Sequence, residues 1–121
     1  MRYMMLIKPD ADRFPEGGPS EELMTEMGKL LSEMTKAGVL LDTAGLAPAD
    51  EGNVVRLSGG KLTVLDGPFT EAKEFIGGYA LLQTKSQEEA VEWASRFLRI
   101  HGNEWEIEVE VRAVQEAPDT Q

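Results

Sequence analysis

The chain has no cysteine and one histidine, His101. Disulfides, thiol nucleophiles and cysteine-ligated metals are therefore excluded, as are sites built on a pair of histidines. No apolar run approaches the roughly 20 residues that span a bilayer. The opening stretch, MRYMMLIKPDADRFPEGG, holds only about six apolar residues together, too few for a signal segment, and no small-residue cleavage site follows. It reads as a first strand, and the chain as cytoplasmic. Basic residues are also in deficit: 12 Lys and Arg stand against 22 Asp and Glu, a net charge of −10. Such a chain repels a phosphate backbone and an anionic membrane surface, so neither is expected as a partner.

What remains is the profile of one soluble domain: 121 residues, 41% hydrophobic and 28% charged. Residues 1–114 are expected to fold as a unit, and 115–121 to form a polar tail. Residues 3–8, YMMLIK, are apolar on both faces of an extended strand, the mark of a central position in a sheet. Ser20 opens a helix, with Glu21 and Glu22 in its first turn and Gly38 beyond its end. Leu23, Met24, Met27, Leu30, Leu31 and Met34 recur on one side of it. A strand in VLLDTAGLAP follows, then NVVRL and KLTVL around SGG, a hairpin signal. YALLQT is again apolar on both faces. Ser86 and Glu89 form a capping box for a second helix, whose apolar face is Val91, Ala94, Phe97 and Leu98, with Trp93 beside it. His101 and Gly102 close that helix. EWEIEVEVR then alternates, with Trp105, Ile107, Val109 and Val111 on one side and the glutamates on the other.

The order strand–helix–strand, hairpin, strand–helix–strand predicts an α+β fold, a ferredoxin-like two-layer sandwich with an antiparallel sheet. Two helices cover only one face of a sheet, yet both central strands are apolar on both faces. The uncovered face needs a partner, and a second copy of the chain is the simplest one. A homodimer with facing sheets is expected, with a cleft for a small-molecule ligand at or near the interface.

The stretch DGPFTEAKEFIGGY, residues 66–79, gathers more turn chemistry and charge than a hairpin requires. Asp66 can accept from backbone N–H groups beyond Pro68 and organise the turn, or serve as a base or ligand. Glu71, Lys73 and Glu74 form a charged patch: either a surface ion pair or, if the segment folds over the sheet, groups in one cleft with Tyr79. Gly77 and Gly78 signal close backbone approach or an unusual turn.

This string resembles the DGPF branch of the YCII-related family. YMMLIK, AGVLLDTAGLAP, EEAVEWASRF and EVEVR resemble the family's first strand, the segment after its first helix, its second helix and its last strand. The resemblance implies a dimeric α+β barrel. It also implies either an enzyme acting by proton transfer on a small, aromatic substrate, or a non-catalytic binding or interaction module accessory to a sigma-factor pathway. Some members of the broader family use a His–Asp pair with the histidine on the first helix. Here residues 20–37 contain no histidine. The candidate catalytic residues are therefore Asp66 or Glu74 as acid–base groups and Lys73 as electrostatic stabiliser, with Tyr79 as a cleft wall.

Tyr3, on the first strand, is a core or interface aromatic or a second ligand contact. Glu110 and Arg112 are candidate ligand-binding residues that can also pair across the sheet. Glutamates at alternate positions lie about 7 Å apart and must be solvated, paired with bases, or gathered round a cation. No EF-hand loop or other ligand spacing is present, so neither metal nor cofactor is expected. His101 reads as a helix-cap residue.

Overall fold

The computed structural model describes residues 1–10, 15, 17–47, 51–66 and 76–116, with Asp66 described through its backbone. The elements run β1 (Arg2–Pro9), α1 (Glu21–Lys36), β2 (Leu40–Gly45), β3 (Asn53–Ser58), β4 (Lys61–Asp66), β5 (Gly78–Gln83), α2 (Gln87–Arg99) and β6 (Ile107–Ala113). One sheet has the order β2-β5-β1-β6. β1 pairs antiparallel with both β5 and β6, and β5 antiparallel with β2. This is the expected ferredoxin-like α+β arrangement, with YMMLIK and YALLQT on the two inner strands. β3 and β4 form a separate two-stranded sheet.

Local chemistry sets the element ends. The Ser20 hydroxyl accepts from the Leu23 N–H at 3.1 Å, and Gly38 takes a φ of 75° after the last turn of α1. The Ser86 hydroxyl accepts from the Glu89 N–H at 3.1 Å. The return bond of this capping box is shifted by one residue: the Glu89 carboxylate accepts from the Lys85 N–H at 3.1 Å. Gly59 and Gly60, with φ of 57° and 79°, form the two-residue turn of the β3–β4 hairpin. Two positive φ values match the twist of the flanking strands and lock their register.

The core lies between the helices and one face of the four-stranded sheet. Tyr3 and Met5 from β1, Ala80 and Leu82 from β5, Leu30 and Met34 from α1 and Ala90 and Ala94 from α2 are buried together with Val39. Val109, Val111, Trp93 and Phe97 pack against them. Two expected core positions are not covered: Met24 is 62% exposed and Val91 is 47% exposed. Each lies one residue beyond a buried neighbour, Leu23 and Ala90, and the 100° step of a helix turns it off the sheet. β6 begins at Ile107, three residues later than the alternation suggests. Its ladder with β1 ends at Pro9 opposite Ile107. The helices are joined at their outer edges by Arg96, which binds Glu33 with two bonds of 2.5 and 2.8 Å and lies 4.9 Å above the Trp93 ring. Among the described residues no helix is long and apolar enough to cross a membrane.

Candidate functional site

The second face of the four-stranded sheet, turned away from the core, carries the most concentrated chemistry among the described residues. Register places Met4, Leu6 and Lys8 of β1 beside Tyr79 and Leu81 of β5 on one flank, and beside Glu108, Glu110 and Arg112 of β6 on the other. Met4, Leu6, Tyr79 and Leu81 are half-buried, and none belongs to the core cluster. They form an apolar floor two strands wide.

One border of this floor is made by β2. Leu40 stands opposite Leu82, a core residue, so unbroken pairing would set Asp42 opposite Ala80, on the helix-side face of the sheet. The register instead shifts between Leu40 and Asp42, which brings Asp42 opposite Leu81. Leu41 is the extra residue. A bulge of this kind re-aims the side chains that follow it. The Tyr79 hydroxyl now donates to Asp42 Oδ2 at 2.8 Å, the Thr43 N–H donates to Oδ1 at 2.9 Å, and the Thr43 hydroxyl donates to the Tyr79 carbonyl at 2.9 Å. Both carboxylate oxygens are thus fixed. The Tyr79 phenol is held above its ordinary pKa of 10.0, first by the bond to Asp42, then by that residue's charge and by burial. It remains a proton donor throughout the neutral range.

The glycine pair sets the spacing of this border. A Cβ on Gly78 would meet the Ala44 carbonyl oxygen at 2.9 Å, and one on Gly77 would meet the Pro9 ring at 2.9 Å. Neither glycine has a positive φ. They serve close backbone approach, one of the two roles expected of them. The Gly77 N–H also donates to the Ile7 carbonyl at 2.7 Å, and its own carbonyl accepts from the Leu46 N–H at 2.9 Å.

On the opposite border Lys8 Nζ donates to Glu110 Oε1 at 2.7 Å, and Arg112 Nε lies 3.4 Å from Oε2. The Lys8 bond, and less strongly the two positive charges, hold the Glu110 carboxyl below its ordinary value against the opposing effect of burial. The glutamate side of β6 is therefore partly paired with bases. Among the described residues no three His, Asp or Glu side chains gather as a metal site. Three strand spacings separate the two borders, about 14 Å.

The sequence-derived candidates divide accordingly. Tyr79, Glu110 and Arg112 share this face. Tyr3 does not: it is 3% exposed in the core on the opposite face, its hydroxyl 3.7 Å from the Met1 sulfur. Lys73, Glu74 and the Asp66 side chain lie outside the described residues. His101 caps α2, its Nδ1 donating to the Phe97 carbonyl at 2.9 Å, its ring edge-on to Phe97 and Trp105. Asp42 and Lys8 were missed. The sequence carried no signal for the direction of Asp42, which a register shift against β5 sets.

The family model of the YCII-related domain matches residues 1–112. An uncharacterized protein of Rhizobium meliloti (strain 1021) is 34% identical over 74 residues, which make up 61% of this chain. The matched segment spans 60% of that relative's length.

Proposed function

The chain belongs to the YCII-related family, and from that membership we propose that two copies close their open sheet faces over a cleft where a compact, aromatic-sized substrate is held and a proton is moved. The observation that carries this reading is Asp42: a bulge sets its carboxylate on the open face of the sheet and against a phenol, at the rim of an apolar floor. A fixed carboxylate beside a protonated phenol is a general base with a hydrogen-bond donor at hand. On a substrate with an acidic C–H beside a carbonyl, Asp42 takes the proton. The C–H electron pair moves toward the carbonyl oxygen, and Tyr79 turns its O–H to the oxyanion that forms. Met4, Leu6 and Leu81 hold the ring, and Glu110 and Arg112 with Lys8 meet its far end.

The DGPF string supports a reading of this chain within that branch of the family. Asp66 or Glu74 then supplies a second acid–base group and Lys73 an electrostatic stabiliser, supported by their place in the chain just ahead of Tyr79. A second reading has its own support: the exposed apolar hairpin β3–β4 suits a non-catalytic interaction module accessory to a sigma-factor pathway.

The test joins ultracentrifugation with fluorine NMR of small fluorinated phenols and cyclic ketones. A dimer at micromolar concentration is expected, with ring compounds bound and at least tenfold weaker binding in Asp42→Asn. A monomer, or binding indifferent to Asp42, sinks the proposal.

A further inference from the structure

The open sheet face carries three bases on its strands: Arg2 and Lys8 on β1, and Arg112 on β6. Two of them are engaged. Arg2 donates from Nε and one terminal nitrogen to the two oxygens of Glu116, at 2.7 and 2.6 Å. Lys8 donates to Glu110 at 2.7 Å and has Glu108 opposite it on β6. Arg112 differs. Its side chain is 68% exposed, its Nε stands 3.4 Å from Glu110 Oε2, and it makes no hydrogen bond among the described residues. A guanidinium presents five N–H donors in a planar fork and keeps its charge at every pH a folded protein meets.

Register decides where that fork stands. Arg112 lies opposite Met4, Met4 opposite Leu81, and Leu81 opposite Asp42. The four residues make one row across the sheet. A carboxylate fixed by Tyr79 ends it on β2, a guanidinium ends it on β6, and two apolar side chains lie between. The acids of β6 do not satisfy the fork: Glu110 is bound to Lys8, and Glu108 lies four positions along the strand, about 13 Å away. Closing this face in the dimer proposed above takes Arg112 out of water. A buried guanidinium needs an opposing charge that accepts its hydrogen bonds, and one left unpaired is strongly destabilising. A ligand in the cleft meets that need when it carries a carboxylate. Two parallel N–H···O bonds then set its ring along the row, with its other end at Asp42. We propose that Arg112 binds a carboxylate on the substrate, which makes the substrate class a ring acid and Arg112 the residue that selects it. The inference rests on the ring-binding cleft proposed above and names what that cleft prefers.

The test is fluorine NMR at low salt with three probes built on one ring. They are ortho-fluorophenol, the same ring with a carboxylate para to its hydroxyl, and the methyl ester of that acid. The parent is expected to bind the acid at least tenfold more tightly than the phenol or the ester, and the preference to shrink as salt is added. In Arg112→Gln the preference is expected to disappear. Arg112→Lys, which keeps the charge without the fork, should retain part of it. Arg112 is exposed, and an unchanged far-UV spectrum verifies the fold of each variant. A preference that survives in Arg112→Gln assigns the acid to another base and overturns the inference. Three probes bound with equal strength, as when a carboxylate of the second copy takes the fork, overturn it too and leave the cleft standing. Binding of none of the three removes the cleft itself, and this inference with it.

Discussion

At the scale of single residues, Asp42 and Tyr79 carry the chemistry of the open face. Their bond is specific to the neutral phenol, so its contribution to stability is fully present below the ordinary tyrosine value of 10.0. It is lost as pH rises through the higher folded value. Ultraviolet titration of tyrosinate should therefore show Tyr79 ionising above 10.0 in the parent. It should shift back toward the ordinary value in Asp42→Asn, where the charge is gone. A titration curve unmoved by the substitution contradicts the geometry. Ser20, Ser86 and His101 were readable from sequence because their roles depend on neighbours within four positions. Asp42 was not, because its direction depends on a register shift against β5 that no local pattern encodes. Tyr3 was ambiguous for a related reason: a strand apolar on both faces does not announce which face the helices take.

At the scale of elements, the pairing of β2 with β5 leaves no room for a Cβ at Gly78. Gly78→Ala would place a methyl against the Ala44 carbonyl oxygen at 2.9 Å, and backbone cannot step aside as a side chain can. Overpacking of this kind costs about 1–3 kcal/mol. The loss should appear as a lower urea midpoint together with a disturbed Asp42–Tyr79 border. An alanine variant as stable as the parent would show that β2 can move away freely. The two inner strands were legible because YMMLIK and YALLQT are apolar on both faces, and the helices because their apolar residues recur at helical spacing. The side chains at the margins of the helix stripes, Met24 and Val91, were not. Which edge of a stripe is covered depends on how the helix is rolled on its sheet.

At the scale of the whole molecule, three bases of this acidic chain join distant segments. Arg2 binds Glu116 with bonds of 2.7 and 2.6 Å, at the start of the segment expected to be a polar tail. Arg96 binds Glu33 across the helices, and Lys8 binds Glu110 across the sheet. Each carboxylate is held below its ordinary value of 4.5, mainly by the bond to its base. Groups lowered on folding stabilise above the unfolded value and cease to do so as pH falls through the folded one. The urea midpoint is accordingly expected to hold from neutral pH down to about 4.5 and then to decline. All three pairs are solvent-accessible, so added salt should flatten the decline. A midpoint level to pH 3 at low salt would refute this account.

The pairing of β1 with β6 has a mechanical consequence. Tyr3 lies opposite Ala113, and the Val114 N–H donates to the Arg2 carbonyl at 2.9 Å, so these segments leave the sheet at the same end. Antiparallel ladder bonds run perpendicular to their strands. A pull applied at Arg2 and Val114 loads those bonds singly, from that end inward, and the sheet opens like a zipper. The same pull applied at Arg2 and Ile107 would run along the strands and shear the whole ladder at once. Tension from opposite sides of one strand pair is therefore resisted far more than tension from its shared end.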